Sequence, residues 1–206
     1  MHAWRTISLL IATIAIPLVV LADCPNQYEV LGDEGKAWLG MNAGGFVAGE
    51  GQSFNLECTS EILSVEFLLI LDGLTWYGVP PLGTGDILYG EIMTTNGLTL
   101  ATESITLDFD EGIQWITFDF TSHELELVGG EYLITCHPAN AKQARMSYHQ
   151  AEDIYGGGLR YISSNGGAGP WTPAAAEHGD LAFRVNTPGT VATESLQWGR
   201  VKTLYR

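Results

Sequence analysis

Ile62-Leu63-Ser64-Val65-Glu66-Phe67-Leu68-Leu69-Ile70-Leu71 is the stretch from which the fold is read. Val65, Phe67, Leu69 and Leu71 share one face of an extended chain, and the length and β-branched content of the run suit a central strand. Just before it, Gln52–Cys58 alternates Phe54, Leu56 and Cys58 with polar residues, the period of a half-buried strand. Thr59-Ser60-Glu61 makes the turn between them. Further along, Asp86–Thr94 places Ile87, Tyr89, Glu91 and Met93 on one face, Asn96-Gly97 is a hairpin turn, and Leu98–Leu107 resumes the β pattern. Ile113–Phe120 sets Ile113, Trp115, Thr117 and Asp119 against Gln114, Ile116, Phe118 and Phe120. Leu125 and Leu127 precede a turn at Gly129-Gly130, and Tyr132–Cys136, Arg145–Tyr148, Leu159–Ile162 and Asp180–Val185 complete the series. Upstream, residues 23–51 read as turn-rich, with seven glycines from Gly32 to Gly51. Nine or ten short strands without sustained helical periodicity predict an all-β fold: an antiparallel β-sandwich, jelly-roll-like. Phe54, Val65, Phe67, Leu69, Trp115, Phe118, Tyr132 and Phe183 are its expected core.

The two ends differ from this body. Arg5 precedes an almost unbroken apolar run from Ile7 to Ala22 that ends Val20-Leu21-Ala22, the pattern of a secretory signal peptide with mature chain from Asp23. The run is short for a membrane anchor, and no transmembrane segment is expected in the mature chain. The organisation is therefore a signal peptide over 1–22, a sandwich over 23–186, a linker over 187–195 and a tail over 196–206. The expected location is outside the cytoplasm, secreted or at the cell surface. Residues 23–186 hold 23 acidic side chains against five basic ones in a chain of net charge −15, while the tail sets Glu194 against Arg200, Lys202 and Arg206. An acidic body repels phosphate backbones, which argues against nucleic acid as a partner. Of the cysteines Cys24, Cys58 and Cys136, one disulfide is expected in an oxidising compartment with one thiol left over, and the sequence does not choose the pair. Leu21-Ala22-Asp23-Cys24 approaches a lipoprotein box, but Asp23 stands where that box needs Gly or Ala.

A family resemblance rests on an ordered set of segments: Gln52-Ser53-Phe54, then Trp115–Phe120, Leu125–Tyr132, Tyr155–Gly158, Trp171-Thr172-Pro173 and Asp180–Val185. Over about residues 45–186 the chain resembles the bacterial secreted β-sandwich modules called choice-of-anchor domains, nearest the R type. The Asp72–Gly85 insertion and the strand cysteines depart from that pattern. The tail, with Trp198, Gly199, Lys202, Tyr205 and Arg206, is similar to short W-G-x-x-K-x-x-Y-R endings of exported bacterial proteins. The resemblance implies display on the outside of the cell, with export and sorting machinery as partners.

No catalytic set stands out. His123, His137, His149 and His178 lack zinc-site spacing. Asp108, Asp110 and Glu111 form an acidic turn, as do Glu152 and Asp153, without the cleft that glycoside hydrolysis requires. No cofactor is expected. Asp108–Gly112 offers alternating oxygens as a weak Ca²⁺ alternative. The loop aromatics are the ligand-binding candidates: Trp76 and Tyr77 in the Asp72–Gly85 loop, and Tyr155 and Trp171 beside glycine-rich turns, because sugar rings stack on exposed aromatic faces. The opposing reading has Trp171 capping the end of the sandwich. The resulting expectation is a non-enzymatic exported module for adhesion or display that engages a glycan or cell-surface component. The alternatives are a carbohydrate-binding module using the loop aromatics and a secreted hydrolase.

Overall fold

The computed structural model describes residues 25, 27–31, 35–41, 47–75, 79–140, 142–148, 155–165, 169–174 and 179–188, with backbone alone at 35–38, 41, 47 and 143–148. The signal segment, Cys24, Trp76, Tyr77 and the tail lie outside the described residues. Fourteen strands are described: β1 (Gln27–Val30), β2 (Gly35–Met41), β3 (Val47–Leu56), β4 (Ser60–Glu61), β5 (Ser64–Asp72), β6 (Ile87–Thr94), β7 (Thr99–Thr106), β8 (Glu111–Asp119), β9 (Glu126–Leu127), β10 (Gly130–Pro138), β11 (Gln143–Tyr148), β12 (Arg160–Ser163), β13 (Thr172–Pro173) and β14 (Phe183–Asn186). One 3-10 turn, Thr121–His123, is the helical element among the described residues.

The strands form an antiparallel sandwich. In one sheet β5 pairs along its length with β8, while its other edge takes β14 at one end and β11 at the other; β1 continues from β14, and β2 from β11. The facing sheet runs β7-β6-β10-β3-β12-β13. β3 joins the two, because Val47 and Ala48 pair with β2 whereas Glu50–Leu56 pair with β10. The chain crosses between sheets from β5 to β6, β7 to β8, β10 to β11 and β11 to β12, the path of a jelly roll. β4 and β9 form a separate two-stranded ribbon.

The core is what the alternation in β5 predicts. Val65, Phe67, Leu69 and Leu71 point inward with Phe118 and Phe183 from their own sheet and meet Phe54, Leu88, Ile92 and Ile134 of the other. Phe67 lies edge-on to Phe118, ring centroids 6.5 Å apart. The fit between sheets is tight at Gly90 of β6, where even a Cβ would strike the Phe118 ring.

Two expectations are corrected. Trp115 is not core: β8 buries Ile116 and Phe118, with Phe120 just beyond it, so Trp115 faces outward beside Ile113, which is 62% exposed. Arg184 covers the indole instead, its guanidinium 4.1 Å from the ring centroid. Residues 23–51 are not only turns, since they hold β1, β2 and the start of β3; Gly51 lies within β3, where a Cβ would stand 3.0 Å from the Ile134 carbonyl oxygen. Cys58, just past β3, is disulfide-bonded, and Cys136 is a free thiol buried on the inner face of β10.

Phe67→Ala should cost about 3–5 kcal/mol, the range for emptying a buried aromatic site. Trp115→Ala should cost about 1 kcal/mol, a cation–π contact on a half-exposed face. Denaturant titrations of the two variants check the assigned faces. Burial, reinforced by the nearby Glu50, pushes the Cys136 thiol pKa up. The thiol should therefore ignore a thiol reagent in the native protein and react once the chain is unfolded without reductant, a signal that Cys136→Ser removes.

Candidate functional site

The β6–β7 hairpin is built by local chemistry. Gly97, at φ 90°, permits the tight turn. The Gly97 N–H donates to the Thr94 carbonyl (2.9 Å), the Thr94 N–H to the Leu98 carbonyl (2.9 Å) and the Leu98 N–H to Thr94 Oγ1 (3.1 Å). The Thr94 hydroxyl also donates to Asn96 Oδ1. A second segment comes to this hairpin from far along the chain. β12 and β13 pair through Tyr161–Pro173 and Ile162–Thr172, and the connection between them carries a cis Gly169-Pro170 bond and Trp171. Trp171 packs on Met93 of β6, Leu133 of β10 and Tyr161 of β12, a small apolar cluster on the outer face of the sheet.

Between the hairpin and the Gly169–Trp171 segment lies a cavity of about 500 Å³, lined by Met93, Thr95, Asn96, Gly97, Thr99, Gly169, Pro170 and Trp171. Not one of these residues is charged. A Cβ at Gly169 would stand 3.6 Å from Trp171 Cδ1 and 4.0 Å from its Nε1, so the pyrrole edge of the indole runs along the Gly169 wall. Trp171 Nε1 is the one buried side-chain nitrogen or oxygen without a hydrogen-bond partner among the described residues. An unpaired buried N–H costs about 1–3 kcal/mol.

The aromatic candidates separate. Trp171 lines this cavity; it covers the outer face of a sheet and does not cap the main core. Tyr155 belongs to the scaffold: its ring stands edge-on to Phe183 (5.3 Å), and its hydroxyl accepts the Asn55 N–H (3.3 Å). Burial raises its pKa. Among the acidic candidates, Asp110 Oδ1 accepts the Thr84 N–H at 2.7 Å, and a Cβ at Gly73 would stand 2.7 Å from Glu111 Oε1. Asp108 is exposed. No group of three His, Cys, Asp or Glu side chains that could hold a metal occurs among the described residues.

A buried polar system was not foreseen. On the inner face of β3, Glu50 accepts two hydrogen bonds from Arg160, Nε to Oε2 at 2.9 Å and Nη2 to Oε1 at 3.1 Å. Gln52 Nε2 donates to Asp180 Oδ1 (2.8 Å), Gln52 Oε1 accepts the Leu181 N–H (3.0 Å), and Asp180 Oδ2 accepts the Tyr155 N–H (2.9 Å). Burial pushes the Glu50 carboxyl up to about 7 against the opposing pull of Arg160. Shifted groups of this kind mark active sites when they line a cleft. Here Glu50 and Asp180 are each 2% exposed, and they tie β12 and the approach to β14 onto β3.

The raised Glu50 pKa fixes a sign. The folded chain holds a proton that the unfolded chain releases near pH 4.5, so this contribution to stability is full below 4.5 and is lost as the pH rises through about 7. Burial lowers the His137 pKa from 6.5, which adds the opposite slope. Thermal melts of wild type and Glu50→Gln across this range isolate the Glu50 part: the variant should lack the decline that wild type shows.

No protein-family model matches this chain, and no curated protein matches its sequence.

Proposed function

We propose that this chain is a non-enzymatic exported β-sandwich module for adhesion or display, acting at the cell surface or outside the cell. The observation that carries the reading is the use made of its buried ionisable groups. Glu50, Arg160 and Asp180 are held inside the sandwich and bonded to segments distant in sequence. A catalytic acid or base has to reach its substrate. These groups act as internal ties of a rigid scaffold, and the chain offers its loops for contact.

Export is supported by the signal-like start and by the disulfide bond at Cys58, a linkage that persists in oxidising compartments. No helix among the described residues is long and apolar enough to cross a membrane. The choice-of-anchor resemblance and the basic tail fit a module that is exported and then retained by sorting machinery, with a glycan or other surface component as its partner.

Removal of residues 197–206 tests the placement. The last described strand ends at Asn186, and a Thr-Pro-Gly-Thr segment stands between it and the tail. The truncated protein should melt within about 2 °C of the full chain, less than a 1 kcal/mol change at this size. Fractionation of the producing cells should find it in the medium or periplasm, not at the surface. A much lower melting temperature with unchanged placement would make the tail structural and overturn the retention role.

A further inference from the structure

The cavity under the β6–β7 hairpin has a composition that selects its ligand. We propose that it is a subsite for a neutral saccharide, a mono- or disaccharide unit; this rests on reading the chain as a binding module. Its volume of about 500 Å³ falls within the 300–1,000 Å³ of small-molecule sites. The lining includes the hydroxyl-bearing Thr95 and Thr99 and the amide of Asn96, beside the apolar Trp171, Pro170 and Met93. Hydroxyl and amide groups next to an aromatic ring match a sugar, which carries hydroxyls around its rim and C–H groups on its face.

Charge narrows the class. No Lys or Arg lines the cavity, and the chain carries a net charge of −15. Phosphorylated, sulfated or sialylated ligands would enter without a counter-charge and against the field of the body. A wholly apolar ligand would leave the hydroxyl- and amide-bearing side of the lining, Thr95, Asn96 and Thr99, without partners, whereas sugar hydroxyls can meet it. The indole is held as the stacking face because its ring is already fixed against Met93, Leu133 and Tyr161. Little ordering cost then remains on binding.

The test is titration calorimetry of the full chain with the methyl glycosides of glucose, galactose, mannose and N-acetylglucosamine, with glucose 6-sulfate and sialyllactose as anionic controls. Trp171→Phe keeps a ring on the cluster and reduces the aromatic face, and Thr99→Tyr fills the cavity from an exposed position on an edge strand. Wild type should bind at least one neutral glycoside at millimolar concentration. Trp171→Phe should weaken that binding about 2- to 5-fold, the effect of a smaller stacking face. Thr99→Tyr should abolish it at an unchanged melting temperature, which keeps the test decisive even if Trp171→Phe is less stable. Three results would each overturn the subsite: no neutral glycoside bound, anionic controls preferred, or Thr99→Tyr binding as tightly as wild type. None of them touches the placement experiment, so the wider reading stands or falls separately.

Discussion

Glu50 lies inside the sandwich, 2% exposed, and its carboxyl has to be matched there. Arg160 supplies the match through two hydrogen bonds, and removing one member of such a buried pair costs about 3–5 kcal/mol. Much of the architecture around the cavity follows from it. With Arg160 drawn to Glu50, β12 lies against β3 in the register Arg160–Gln52, Tyr161–Gly51 and Ile162–Glu50. β13 then pairs with β12, and the connection between them sets Trp171 on the outer face of the sheet. A polar pair on one face of the sheet thus positions an aromatic side chain on the other.

The same economy governs the other cations. Arg184 contacts Glu29 and Glu66 at 3.2 Å each and covers Trp115, which bridges β1, β14, β5 and β8 on one outer surface. Lys142 contacts Asp86 at 2.8 Å, and Asp86 also accepts from Asn140 and from the Gly83 N–H. These bonds hold the Asp86 carboxyl below its usual range despite the burial that opposes them. In a body with five basic residues, the three whose side chains are described each join segments far apart in sequence.

The main core was legible where one face of a strand is wholly apolar and the other mixed. In β5, Val65, Phe67, Leu69 and Leu71 are unbroken while the other face mixes Ser64, Glu66 and Asp72 with Leu68 and Ile70, and Asn96-Gly97 declares its turn. β8 was harder, because Ile113 and Trp115 compete with Ile116, Phe118 and Phe120; what decides is Arg184, nearly seventy residues away, lying on the indole. Glycines misled the reading of residues 23–51, where a local turn signal is also the mark of a strand packed against other backbone, as at Gly51. Trp171 could be singled out as a loop aromatic, but its cavity could not, since Thr95 and Asn96 meet Pro170 and Trp171 only through tertiary structure. The Glu50–Arg160 pair, 110 residues apart, left no local pattern at all.

The first and last strands of the body are neighbours: Gln27 pairs with Asn186 and Val30 with Phe183, and the Thr187 hydroxyl donates to the Pro25 carbonyl at 2.7 Å. The chain therefore enters and leaves the sandwich at one place, which bears on how it carries mechanical load. Force applied between the two ends would open β1 from β14 like a zipper, one bonded pair at a time. Force applied to β14 alone meets a strand clamped between β1 and β5, with hydrogen bonds on both of its edges. Load taken by β14 alone therefore meets more resistance than load shared between the two ends.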